Sequence, residues 1–192
     1  MDSDQEESIF KTGGVFADRE LLRVGHVPPL ERVVGRDEEV ASIGQAIGPA
    51  TVGGPPENTI IYGKTGTGKS LVARCVSRKA HSEAATNQIT FQHAYVDCSD
   101  YQSEAKASRE MARQLASNLD ADVSIPRVGI AAADYRDITW DLLAEFGVDS
   151  FVVILDEIDK LADDELLRSL SRARESGKSA AHIGVICISN KI

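Results

Sequence analysis

Cysteine is scarce: only Cys75, Cys98 and Cys187 occur in 192 residues, 23 and 89 positions apart and with no Cys-x-x-Cys pair. That spacing excludes a disulfide framework or a zinc site built on cysteine, and the three read as small buried hydrophobes. The four histidines, His26, His81, His93 and His182, are scattered without metal-ligand spacing and read as packing or surface residues. No apolar run approaches the roughly 20 residues that span a bilayer. Residues 1–8 carry Asp2, Asp4, Glu6 and Glu7 where a secretory leader needs a basic patch and an apolar stretch. The expectation is a soluble, cytoplasmic protein with no membrane partner. Positive charge is also short: 21 Lys plus Arg face 30 carboxylates, a net charge of −9, so any nucleic acid must be gripped locally or through parts elsewhere. Lys is rarer than Arg, 8 against 13, and this acidic, lysine-poor balance suits either concentrated salt or ordinary acidic solubilisation.

What is present is globular composition, 42% hydrophobic and 27% charged, on a length that holds about one domain. After an acidic tail over 1–14, Val27-Pro28-Pro29-Leu30 favours extended chain. Val40, Ile43 and Ile47 recur at helical spacing over 36–47, acidic residues open that helix, and Gly48-Pro49 is expected to stop it. Thr59-Ile60-Ile61-Tyr62 is a short strand ended by glycine, and the helix beyond it buries Leu71, Val72, Cys75, Val76 and Ala80. A second strand fits 92–98. Helices fit 102–119 and 134–146, the latter through Tyr135, Ile138, Leu142 and Phe146, with Trp140 as a helix residue rather than a stacking platform. The runs 151–155 and 183–188 are apolar without alternation, as in strands covered on both faces of a parallel sheet. The order argues for an α/β doubly wound domain, a three-layer sandwich. Arg168, Arg172 and Arg174 follow Asp163-Asp164-Glu165 on one helix, where charge pairing accounts for them.

Gly63-Lys64-Thr65-Gly66-Thr67-Gly68-Lys69-Ser70 matches the full G-x-x-x-x-G-K-[ST] pattern between a strand and a helix. Glycines let successive N–H groups point at phosphate oxygens, the helix adds its positive end, Lys69 reaches the β and γ phosphates, and Ser70 ligates Mg²⁺. Asp156-Glu157 ends a buried strand 87 residues beyond Lys69, at the edge where parallel sheets bind ligands. Asp156 is suited to hold Mg²⁺ and Glu157 to activate a water, although an acidic turn after a core strand is the plain alternative. Asn190, 34 residues after Asp156, can hydrogen-bond the water or the γ-phosphate, or serve as an ordinary turn residue.

With Val33-Val34-Gly35-Arg36-Asp37-Glu38-Glu39, Leu155-Asp156-Glu157-Ile158-Asp159 and Ile188-Ser189-Asn190-Lys191 added, the chain from Phe10 onward resembles the AAA+ ATPases, and among them the archaeal Orc/Cdc replication initiators. The resemblance implies a P-loop NTPase base domain over 15–192 that binds ATP with Mg²⁺ and switches an origin-binding protein between ATP and ADP states. It implies an adenine pocket at Val33 and Val34, nucleotide contacts along Lys64, Thr65, Gly66, Thr67, Gly68, Lys69, Ser70 and Leu71, metal at Ser70 and Asp156, and catalysis through Glu157, Lys69 and Asn190. A helical insertion within 122–147 would touch double-stranded DNA, with Arg127 and Arg136 as phosphate contacts, and paralogous initiator subunits are implied partners. The family's fifth strand, arginine finger, second-sensor lid and winged helix have no counterpart, so the expectation is a domain truncated after the first-sensor strand. Such a piece would bind ATP weakly or not at all, hydrolyse it negligibly and lack origin specificity. Two rivals remain: a P-loop kinase for a small molecule, and a non-catalytic paralogue that regulates a full-length initiator.

Overall fold

The unbroken apolar run at 151–155 becomes the core of the strand with the deepest burial. In the computed structural model, which describes residues 26–191, β3 (Ser150–Asp156) is buried at every position. It lies between β2 (Phe91–Asp97) and β4 (His182–Ser189), with β1 (Thr59–Tyr62) beyond β4, giving the all-parallel order β1-β4-β3-β2. Alternate side chains of β3 serve two cores. Val152 and Ile154 pack with Ile186 and Ile188 beneath α1 (Asp37–Ile47) and α2 (Lys69–Thr86). Phe151, Val153 and Leu155 pack with Val185 and Cys187 beneath α3 (Glu104–Asn118), α4 (Ala132–Glu145) and α5 (Glu165–Arg172). The result is the three-layer α/β sandwich read from the strand and helix order. No helix among the described residues is long and apolar enough to cross a membrane.

Local departures from the expected elements have physical causes. The acidic tail, and the domain's first residues up to 25, lie outside the described residues. Gly48-Pro49 does not end the helical path, which tightens into a 3₁₀ turn over Gly48–Val52 because proline at an early helical position gives up an N–H that needs no partner there. Leu71 is only half-buried, since the first turn of α2 stands at the rim of the sheet and Val72, Ala73, Val76 and Ala80 face the core instead. Phe146 lies beyond the end of α4 and is exposed, while Trp140 is buried in the α3–α5 core. Arg168 pairs with Asp164 at 2.9 Å, but Arg174 falls past α5 and meets the ring of His182.

The two sheet edges are finished differently. At β2, the Gln114 carboxamide of α3 stands in for a missing strand: its Oε1 accepts from the Tyr95 N–H at 2.8 Å and its Nε2 donates to the Tyr95 carbonyl at 2.5 Å. Asn118 Nδ2 donates to the His93 carbonyl at 2.9 Å. At β1 no described strand pairs with the outer side, and Ile60 and Tyr62 are each 57% exposed. Among the described residues, that outer edge of β1 is an open row of backbone groups.

Candidate functional site

β1 runs straight into the glycine turn, and α2 begins at Lys69. Gly66 (φ 80°) and Gly68 (φ 82°) sit in the left-handed region that a side chain would strain. The turn they produce leaves the N–H groups of residues 64–71 without a backbone hydrogen bond of normal geometry. With the positive end of α2 behind them, these exposed and half-exposed donors form a cradle for an anion. Thr67 Oγ1 braces the turn by donating to the Lys64 carbonyl at 2.9 Å.

The long-range geometry brings three of the expected catalytic residues into one chain of hydrogen bonds. Lys69 Nζ donates to the carbonyls of Gly63 and Lys64 at 2.8 and 2.9 Å, and to Asn190 Oδ1 at 2.8 Å. Asn190 Nδ2 in turn donates to Glu157 Oε1 at 3.2 Å. Glu157 adopts the left-handed conformation (φ 49°), which costs a non-glycine residue about 1–3 kcal/mol. Just beyond it, Ser189 Oγ donates to Asp159 Oδ1 at 3.2 Å and Lys191 pairs with Asp159 at 3.3 Å, tying the end of β4 to the acidic turn.

Asp156 is only 6% exposed at the tip of β3. Its Oδ1 accepts from the Glu157 N–H at 2.9 Å and its Oδ2 from the Tyr95 hydroxyl at 2.7 Å. Burial first, and then the bond to Asp156, push the Tyr95 phenol above its ordinary value. Ser70 is half-buried at the head of α2 and its hydroxyl makes no hydrogen bond among the described residues. A hydroxyl and a carboxylate are oxygen donors of the kind Mg²⁺ takes, and the amide row is the kind of donor a polyphosphate takes, so the residues present fit both groups. The three thiols stay out of the chemistry: all are buried, and burial pushes Cys98 up to about 12 and Cys187 up to about 11.

Other expected contacts are placed less favourably. Val33 is half-buried against the α1–α2 core, but Val34 is 87% exposed, so no closed base pocket forms around it among the described residues. Arg136 is engaged in an ion pair with Glu104, and only 11% of its side chain is exposed, which leaves little of it for a DNA phosphate. Arg127 instead joins Lys106, Arg109 and Arg113 around a groove of about 530 Å³ that Asp100, Tyr101 and Glu110 also line. Tyr95 and Gln114 were not visible as site residues in the sequence. The signal available was a half-buried phenol on a strand, whose hydroxyl requires a partner.

A glycine turn with open amides, a lysine at its mouth and a carboxylate pair on the next strand but one define a P-loop nucleotide-binding domain. The chain belongs to the AAA ATPase domain family, whose pattern matches residues 32–186, and within it to the ORC1-type DNA replication proteins. It is 42% identical to ORC1-type DNA replication protein 2 of Halobacterium salinarum, over 99% of this chain and 72% of that protein. It is also 42% identical to protein 17 of that type from Haloarcula marismortui, where the match covers 100% of this chain but 50% of the relative. The fold matches Aeropyrum pernix ORC1, solved in complex with DNA, with a TM-score of 0.74, 23% identity, and coverage of 92% of this chain and 44% of that one. It matches A. pernix ORC2, solved as ADPNP-ADP complexes, with a TM-score of 0.75, 21% identity, and coverage of 93% and 46%.

Proposed function

We propose that residues 15–192 form the nucleotide-binding base of an ATP-controlled replication initiator, a switch whose state depends on the γ-phosphate. The observation that carries this reading is the chain Lys69–Asn190–Glu157, which joins the phosphate turn to the ends of β4 and β3. In it, the amides of residues 64–70 hold the phosphates, Lys69 exchanges its carbonyl partners for phosphate oxygens, and Ser70 and Asp156 hold the metal. Bound Mg²⁺ would neutralise phosphate charge and orient the β and γ groups. Glu157 orients and deprotonates the attacking water, and Asn190, which already touches both Lys69 and Glu157, reports whether the γ-phosphate is present. Hydrolysis changes the state because ATP and ADP bind its two arrangements with different free energies. The groove where Lys106, Arg109 and Arg127 lie beside the Arg113–Glu110 pair and Asp100 offers local positive charge on an acidic chain, which suits the phosphates of double-stranded DNA.

Because Val34 is exposed and no described strand covers the outer edge of β1, this chain is expected to bind nucleotide weakly and to hydrolyse it slowly. A ¹⁵N-labelled sample titrated with Mg·ATP tests the reading. The amide resonances of residues 64–71 should move together, and Lys69→Ala should abolish the movement. Inorganic phosphate, not a phosphorylated metabolite, should accumulate slowly and cease in Glu157→Gln. Amides that stay still at high nucleotide concentration would sink the reading.

A further inference from the structure

We propose that Tyr95 is a positioning residue for the metal-binding carboxylate: its hydroxyl sets the plane of Asp156 and so the affinity of the site for Mg²⁺. Tyr95 sits opposite Ile154 in the β2–β3 ladder, and residues two apart on a strand share a face, so Tyr95 and Asp156 lie on the same side of the sheet as α2. The 2.7 Å bond from the phenol occupies Asp156 Oδ2, and the adjacent N–H of Glu157 occupies Oδ1. Two donors on different oxygens fix the rotation of a carboxylate that one donor would leave loose.

The tyrosine is itself held from two sides. The guanidinium of Arg74 lies 4.6 Å from its ring centroid, and Arg74 is four residues after Ser70 on α2, so the helix face that carries the proposed hydroxyl ligand also presses on the ring. Both backbone groups of Tyr95 are clamped by Gln114, whose Nε2 also donates to Glu110 Oε1 at 2.7 Å. Glu110 is fixed in turn by two bonds from Arg113. The phenol therefore cannot follow Asp156 if the carboxylate turns. It acts as a fixed stop, the arrangement by which outer partners orient metal ligands.

This inference rests on the nucleotide reading above, and Mg²⁺ dependence separates the two. ADP is bound to the unmutated chain and to Tyr95→Phe, first in EDTA and then along a Mg²⁺ titration followed by the amides of residues 64–71. Phenylalanine keeps the ring and its contact with Arg74 and removes only the donor. The expected result is ADP affinity in EDTA unchanged within about twofold, and half-saturating Mg²⁺ raised about tenfold or more. Asp156→Asn should lose the Mg²⁺ response altogether. If the unmutated chain gives no ADP-dependent shifts, the nucleotide reading fails and this proposal with it. If it gives them and Tyr95→Phe shows an unchanged Mg²⁺ midpoint, only the role of Tyr95 falls. A measurement on the unmutated chain guards against a variant that does not fold. With the four tyrosines labelled at ¹³Cζ, the Tyr95 resonance should move when Mg²⁺ is added to the ADP complex. A resonance that stays put overturns the proposal.

Discussion

Gln114→Met tests whether one carboxamide really substitutes for a strand at the β2 edge. Methionine has nearly the length and volume of glutamine, so packing is kept while three polar contacts go: the bonds to the N–H and carbonyl of Tyr95 and the bond to Glu110. Glu110 retains Arg113, so its loss is minor. The two Tyr95 backbone groups are part-buried, and each costs about 1–3 kcal/mol when left unpaired. Partial access of water trims the sum to about 3 kcal/mol, which for a chain of this size lowers Tm by about 6–12 °C. Urea unfolding followed by far-UV circular dichroism gives the free energy directly. Asn118→Ala is the internal reference: its bond to the His93 carbonyl is solvent-exposed, water replaces it, and the expected cost is under about 1 kcal/mol. Should Gln114→Met prove no more costly than Asn118→Ala, the edge of β2 does not depend on the clamp.

Other outcomes follow from single groups. Burial, with the charges of His81, Arg74 and Arg78, lowers His93 from 6.5 to about 4. The unfolded chain therefore takes up a proton that the folded chain refuses: stability is intact above the unfolded value and is lost as pH falls toward 4, by roughly 3 kcal/mol in all. His93→Leu should flatten that acid limb in unfolding measured across the range. Arg136→Ala leaves Glu104 partly buried without its cation and should cost about 1–3 kcal/mol of stability, while DNA affinity changes less than in Arg127→Ala. Finally, a net charge of −9 with few lysines predicts a higher Tm in molar potassium chloride than in dilute buffer, and equal values in the two would refute salt adaptation.

Local signals are the ones legible in the sequence. β1 matched at both ends, because a β-branched run meets a glycine, and the phosphate turn was legible because its chemistry dictates residue types in order. β3 and β4 were legible as fully covered strands, since burial on both faces erases alternation, and each was read only one residue short at either end. What stayed hidden depends on pairing across the fold. Nothing near Tyr95 announces that its hydroxyl will reach a carboxylate 61 residues away, and nothing near Gln114 announces that its amide will cap a strand 19 residues earlier. Arg136 misled for the same reason: an arginine in the expected DNA segment looks available until α3 supplies Glu104. Phe146 kept the helical period, but the chain turned at Gly147 (φ 58°) before the stripe could be buried.

The side of β1 that no described strand covers has a mechanical meaning, because that strand is the stem of the phosphate turn. A peptide segment zipped along Thr59–Tyr62 would stiffen the base from which Gly63 departs, while an anion seated in the turn would hold the same stem from its tip. Each event reduces the freedom the other must remove, so completing the sheet and loading nucleotide should be cooperative, and by thermodynamic reciprocity each must strengthen the other by the same factor.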